Sequence, residues 1–137
     1  MQVKVIFIGK TKEEYIETGI SVYEKRLKKY FPFQIKTIPV QHSDNSNTQT
    51  IKLKEAIHIM SHIKTSDFVV LLDEGGKQFT SIEFARQMQK FMNTINSNLV
   101  FIAGGAYGFE KKIYDRANLL LSLSKLTFSH QMVRLFF

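Results

Sequence analysis

Cysteine is absent from this chain of 137 residues. That excludes disulfides, thiolate zinc sites, iron–sulfur clusters and cysteine nucleophiles together. Long hydrophobic runs are missing too. The longest wholly apolar stretches, Phe68–Leu72 and Leu99–Ala103, fall far short of the roughly 18 residues a membrane span needs. The opening Met1–Gly9 carries no signal-peptide cleavage pattern and reads as a strand. Proline occurs only as Pro32, which helps stop a helix, and Pro39, whose place near a strand end suggests a sheet edge. Acids are in deficit, 12 against 19 Lys and Arg, and the formal charge of +7 points to an anionic partner, nucleic acid first. What is present is ordinary globular material, with 44% hydrophobic and 23% charged residues, which rules out a disordered tail protein. The expectation is one domain over residues 1–137, a cytoplasmic enzyme or binding protein with a core of its own.

Periodicity orders the chain. Val3–Ile8 is a β-branched strand ending at Gly9. Ile16, Ile20, Tyr23, Leu27 and Tyr30 share one face of a helix over about residues 12–29, with Lys25, Arg26, Lys28 and Lys29 on its other side. Phe33–Val40 is a second strand, and the polar Gln41–Thr50 a loop. A helix follows on Leu53, Ala56, Ile57, Met60 and Ile63, then a strand buried on both faces, Phe68–Asp73. Thr80 and Glu83 form a capping box ahead of a helix with Ala85, Met88, Met92 and Ile95 as its stripe. Leu99–Ala103 is a strand, Gly108–Arg116 a short helix, Leu119–Leu123 a strand, and His130–Phe137 the start of a last helix. The alternation predicts an α/β fold, a mostly parallel sheet with helices on both faces, with ligands beyond the carboxyl ends of the strands.

Several motifs fail on chemistry. Gly9-Lys10-Thr11 ends like a P-loop, but Lys4 stands where the first glycine of the phosphate cradle belongs. His58 and His62 lie one turn apart without a third ligand or a zinc-protease Glu, so they read as a solvated helix face, and no metal is expected. The glycines say more. Gly75-Gly76 and Gly104-Gly105 each follow a buried strand, where glycine permits positive φ and lets a ligand lie against the backbone. One such pair reads as a tight turn, whereas two at the same end of neighbouring strands suggest a shared pocket. Neither pair forms the dinucleotide fingerprint.

Gly104-Gly105-x-x-Gly108, followed by Leu121-Ser122-Leu123-Ser124-Lys125-Leu126-Thr127-Phe128-Ser129-His130-Gln131-Met132-Val133-Arg134, resembles the RlmH family of ribosomal RNA methyltransferases, of the SPOUT or α/β-knot superfamily. Gly9-Lys10, Tyr23-Glu24-Lys25-Arg26-Leu27 and Leu72 with Gly76-Lys77 extend the resemblance over the whole chain. It implies a C-terminal trefoil knot, a rare exception to unknotted topology, and a homodimer without a membrane or metal. It further implies S-adenosyl-L-methionine as the donor for methylation of N3 of a pseudouridine in large-subunit (23S) ribosomal RNA, in the assembled ribosome. Carried over, the cofactor contacts fall on Leu72, Gly104, Leu123, Ser124, Lys125, Leu126, Thr127 and Phe128. An adenine would lie between Leu72, Leu123 and Leu126, and Gly104 would leave room for the cofactor.

Arg134 and His130 are the catalytic candidates. Arg134 would hold an RNA phosphate or the base carbonyl edge, against the plainer alternative of a salt bridge to Asp115 or Glu110. His130 would orient that contact or cap the last helix. Two departures stand out: Ser129, where many members have Pro, and an ending at Phe137 that looks C-terminally truncated, since a helix of about seven residues does not hold itself. Two other functions fit the residues, another SPOUT activity such as ribose 2′-O-methylation, and a non-catalytic RNA- or ribosome-binding module.

Overall fold

In the computed structural model, which describes residues 1–40 and 47–137, five strands form one parallel sheet. The strands are β1 (Val3–Ile8), β2 (Phe33–Ile38), β3 (Phe68–Lys77), β4 (Leu99–Ala103) and β5 (Leu119–Leu121), in the order β2-β1-β4-β3-β5. The helices are α1 (Glu14–Leu27), α2 (Thr48–Ser61), α3 (Ser81–Thr94), α4 (Lys111–Arg116) and α5 (Met132–Phe136). β2 is an edge strand that ends just before Pro39, because proline has no N–H to continue a ladder. Part of the expected polar loop, residues 41–46, lies outside the described residues; Asn47 caps α2 and residues 48–50 belong to the helix.

Strand alternation builds two cores. Val100 and Ile102 of β4 pack with Ala56 and Ile59 of α2 and Ile113 of α4 on one face. Leu99, Phe101 and Ala103 pack on the other with Phe91 of α3, Ile20 of α1 and Val133 and Phe137 around α5. The helix stripes are rotated from the sequence reading. α2 buries Ile51, Glu55, Ala56 and Ile59 while Leu53 and Ile57 face outwards. α1 leaves Tyr23 exposed, and Tyr30 beyond its end is exposed too. α3 packs Phe84, Met88 and Phe91 rather than Ala85. In each case several apolar residues competed for one face, and the neighbouring elements chose which of them to cover.

β3 runs four residues past the expected Asp73, through both glycines. The reason is Gly76: a Cβ there would stand 2.5–2.7 Å from the Leu120 carbonyl and the Leu121 amide nitrogen. The irregularity lets both Leu72 and Lys77 register with Leu121. β5 is shorter than expected, giving way after Leu121 to a segment that crosses the carboxyl end of the sheet. There Gln131 accepts from the Lys12 amide and donates to the Lys10 carbonyl, so the segment reaches the exit of β1. Tertiary contacts hold α5 despite its length. Leu135 lies against Gly19, and Phe137 packs 4.8 Å from the Phe101 ring.

Candidate active site

A cavity of ≈ 360 Å³ opens where β3, β4 and β5 leave the sheet. Leu72, Asp73 and Glu74 form one wall, Gly104, Gly105 and Ala106 another, and the segment from Leu123 to His130 covers a third. Seven of the eight suggested cofactor positions meet there: Leu72, Gly104, Leu123, Ser124, Leu126, Thr127 and Phe128. Lys125 does not line the cavity and is exposed. Local hydrogen bonds shape the covering segment. Ser124 Oγ accepts from the Leu126 amide, and Ser122 Oγ donates to the Ser124 carbonyl. Thr127 Oγ1 donates to Glu74 Oε2 at 2.9 Å, joining the segment to the β3 exit.

Of the two roles the sequence suggested for the paired glycines, neither pair uses positive φ, and Gly76, Gly104 and Gly105 stand in close approach to their neighbours. Among the described residues only Gly9 and Gly108 have positive φ, at 82° and 77°. Gly76 clears the β5 backbone. A Cβ on Gly105 would stand 2.8 Å from the buried Glu55 carboxylate, whose pKa burial raises. A Cβ on Gly104 would stand 3.0 Å from the Phe109 ring. Gly104 therefore makes room for Phe109 as well as lining the cavity.

Arg134 is 3% exposed and lines a different, apolar cavity between the sheet, α1 and α5. Its guanidinium donates to the carbonyls of Ile8, Gly9 and His130 and to Thr11 Oγ1, with the Phe7 ring 4.9 Å beneath it. Burial lowers its pKa to about 10, so it remains charged at neutral pH, balanced by carbonyl dipoles and a ring face. The salt-bridge alternative for Arg134 is corrected: it pairs with neither Asp115 nor Glu110, and its guanidinium faces the carbonyls of the β1 exit. The sequence hid this because the Ile8 and Gly9 carbonyls and Thr11 Oγ1 lie 123–126 residues away.

His130 stands on the cavity wall and does not cap α5. Ser129 Oγ accepts from the Met132 amide in its place. Burial, then Arg134, then Lys12 lower the His130 pKa, so the imidazole is neutral at neutral pH. Asp73 and Glu74 received no role from sequence, although an acid closing a buried strand at a sheet's ligand end was a readable signal. Tyr114 of α4 was missed as well, because its partner lies 41 residues away.

A family model described as "Predicted SPOUT methyltransferase" matches residues 1–137. A protein named Ribosomal RNA large subunit methyltransferase H from Christiangramia forsetii is 48% identical over 138 residues, covering 100% of this chain and 88% of the relative. Proteins of the same name from Cytophaga hutchinsonii and Parabacteroides distasonis are 44% and 43% identical, covering 99% and 100% of this chain and 88% of each relative. With a parallel α/β sheet, a cavity at its carboxyl end and similarity over the entire length, the chain belongs to the SPOUT methyltransferase family and is an enzyme of the RlmH group.

Proposed function

We propose that this enzyme methylates N3 of a pseudouridine in 23S ribosomal RNA, with S-adenosyl-L-methionine as the donor. The cavity at the β3 and β4 exits carries the reading. Leu72, Leu123 and Leu126 offer apolar walls to an adenine, while peptide groups of the two loops can meet its edge and the methionine end. The carboxylates of Asp73 and Glu74 suit a ligand bearing a positive sulfonium. When bound, the donor supplies a methyl group already activated by that sulfonium. The protein's own task is to hold N3 in line and accept its proton. His130, neutral and on the wall, is placed for the proton. Arg134 is a positioning residue that grips the His130 carbonyl and ties α5 to β1.

The reading extends to a homodimer in the cytoplasm, with the segment after β5 as the knotted return of the α/β-knot fold. Because α1 runs back from the β1 exit, Lys25, Arg26, Lys28 and Lys29 lie towards the amino end of the sheet, away from the cavity. A two-fold dimer would let one copy's basic row serve the other copy's site. Exposed Tyr23 and Phe136 beside an apolar cavity of ≈ 790 Å³ supply a surface for it. Calorimetric titration with S-adenosylhomocysteine, followed by mass spectrometry of nucleosides from treated ribosomes, tests the activity. Micromolar binding and a methyl group on the pseudouridine base are expected; no binding, or a ribose-methylated product, would overturn the reading. Sedimentation at micromolar concentration tests the dimer.

A further inference from the structure

Tyr114 lies outside the cavity, yet it touches a partner behind each of the two loops that form it. Its hydroxyl donates to Asp73 Oδ1 at 2.7 Å, and Asp73 Oδ2 accepts from the Gly75 amide at 2.9 Å. Its ring meets Phe109 edge to face, with centroids 5.8 Å apart and planes at 87°. Phe109 in turn fills the space beside Gly104 where a side chain would stand. We infer that Tyr114 is a positioning residue for the donor pocket, its hydroxyl setting the β3 exit through Asp73 and its ring setting the β4 exit through Phe109.

The inference rests on the reading of this cavity as the donor site. Its chemistry is particular to tyrosine. A carboxylate with one oxygen on a hydroxyl and the other on a main-chain amide has its orientation determined at both ends. Asp73, directly after Leu72 on the pocket wall, is thereby tied to Gly75 within the irregular stretch of β3. Burial first, and then the Asp73 carboxylate, push the Tyr114 hydroxyl up to about 12, so it stays a donor throughout the physiological range. The ring contributes separately: a Phe109 ring free to turn would let the Gly104–Gly105 loop follow it. Because α4 carries both contacts, displacement of one loop is transmitted to the other through a single side chain.

Two substitutions separate the halves. Tyr114→Phe removes the hydroxyl and keeps the ring, while Tyr114→Leu removes both. In the ligand-free protein, amide exchange should quicken at Gly75 alone in Tyr114→Phe, and at Gly75 and Gly104 together in Tyr114→Leu. In calorimetry, Tyr114→Phe should weaken S-adenosylhomocysteine about five- to tenfold, less than the more than tenfold scale of a whole charge-assisted hydrogen bond because the contact positions the pocket without touching the ligand, with the melting temperature of the free protein within about 4 °C of the original. Asp73→Asn should weaken binding similarly. The double variant Tyr114→Phe with Asp73→Asn should be no weaker than the weaker single, because both break one contact chain. Unchanged affinity in Tyr114→Phe, or losses that multiply in the double variant, would overturn the inference. Failure of the unsubstituted protein to bind S-adenosylhomocysteine would instead overturn the donor-site reading beneath it. Should Tyr114→Leu fail to fold, Tyr114→Phe and Asp73→Asn still decide the hydroxyl half, and Phe109→Leu replaces it for the ring half: unchanged Gly104 exchange there would overturn that half.

Discussion

Two arginines secure opposite ends of one sheet, and they do so under different conditions. At the amino end, Arg116 donates to the carbonyls of Lys64 and Asp67 and to Asn118 Oδ1, in a half-exposed network. Buried Asp67 belongs to the same network, accepting from the Lys64 amide and Asn98. At the carboxyl end, Arg134 also captures carbonyls, but it is buried, and the chain it holds is the return segment of a cavity. The same side-chain chemistry therefore seals one end of the sheet and suspends the wall of a cavity at the other. Water can replace part of what Arg116 does, whereas loss of Arg134 leaves the buried Ile8 carbonyl without a donor and bearing the full desolvation cost.

The strongest test of this contrast uses the tightest point at the carboxyl end. Gly76→Ala puts a methyl group into the β5 backbone, where no side chain can rotate away. A loss of about 3 kcal/mol in urea denaturation is expected, with poor soluble yield. Arg134→Ala should cost about 2–3 kcal/mol and Arg134→Lys most of that, since an ammonium cannot reproduce the planar fork. Arg116→Ala should cost about 1 kcal/mol and leave S-adenosylhomocysteine affinity unchanged, and equal losses at the two arginines would remove the distinction between the ends.

Acid sharpens the comparison further. The folded-state pKa of His130 is lowered, so the unfolded chain takes up that proton first as pH falls below about 6.5. Stability should decline until the pH passes the folded value, with the effect of this group fading out about one unit above 6.5. His130→Gln should remove that part of the slope when urea midpoints are compared between pH 7.5 and 5. The smallest effect is expected at Lys125, which is exposed and off the cavity wall. Lys125→Ala should change S-adenosylhomocysteine affinity by less than about twofold, and a larger change would place its side chain on the ligand.

Local and periodic signals were legible in the residues themselves. The buried runs Phe68–Leu72 and Leu99–Ala103 became strands, Thr80 and Glu83 became the capping box, and β2 became an edge. The Gly104-Gly105 pair at the β4 exit marked one wall of the cavity, whereas Gly75-Gly76 lie inside β3 and off that wall. Tertiary structure decided everything that depended on a partner distant in the chain. It buried Glu55 in place of Leu53, placed Phe109 behind Gly104, turned Arg134 towards Ile8 and Gly9, and joined Tyr114 to Asp73. Hydrophobic period and capping are set by neighbours within a turn or two, and the sequence carries them. Which face is covered, and which acceptor a guanidinium or phenol meets, is set by segments that only folding brings together.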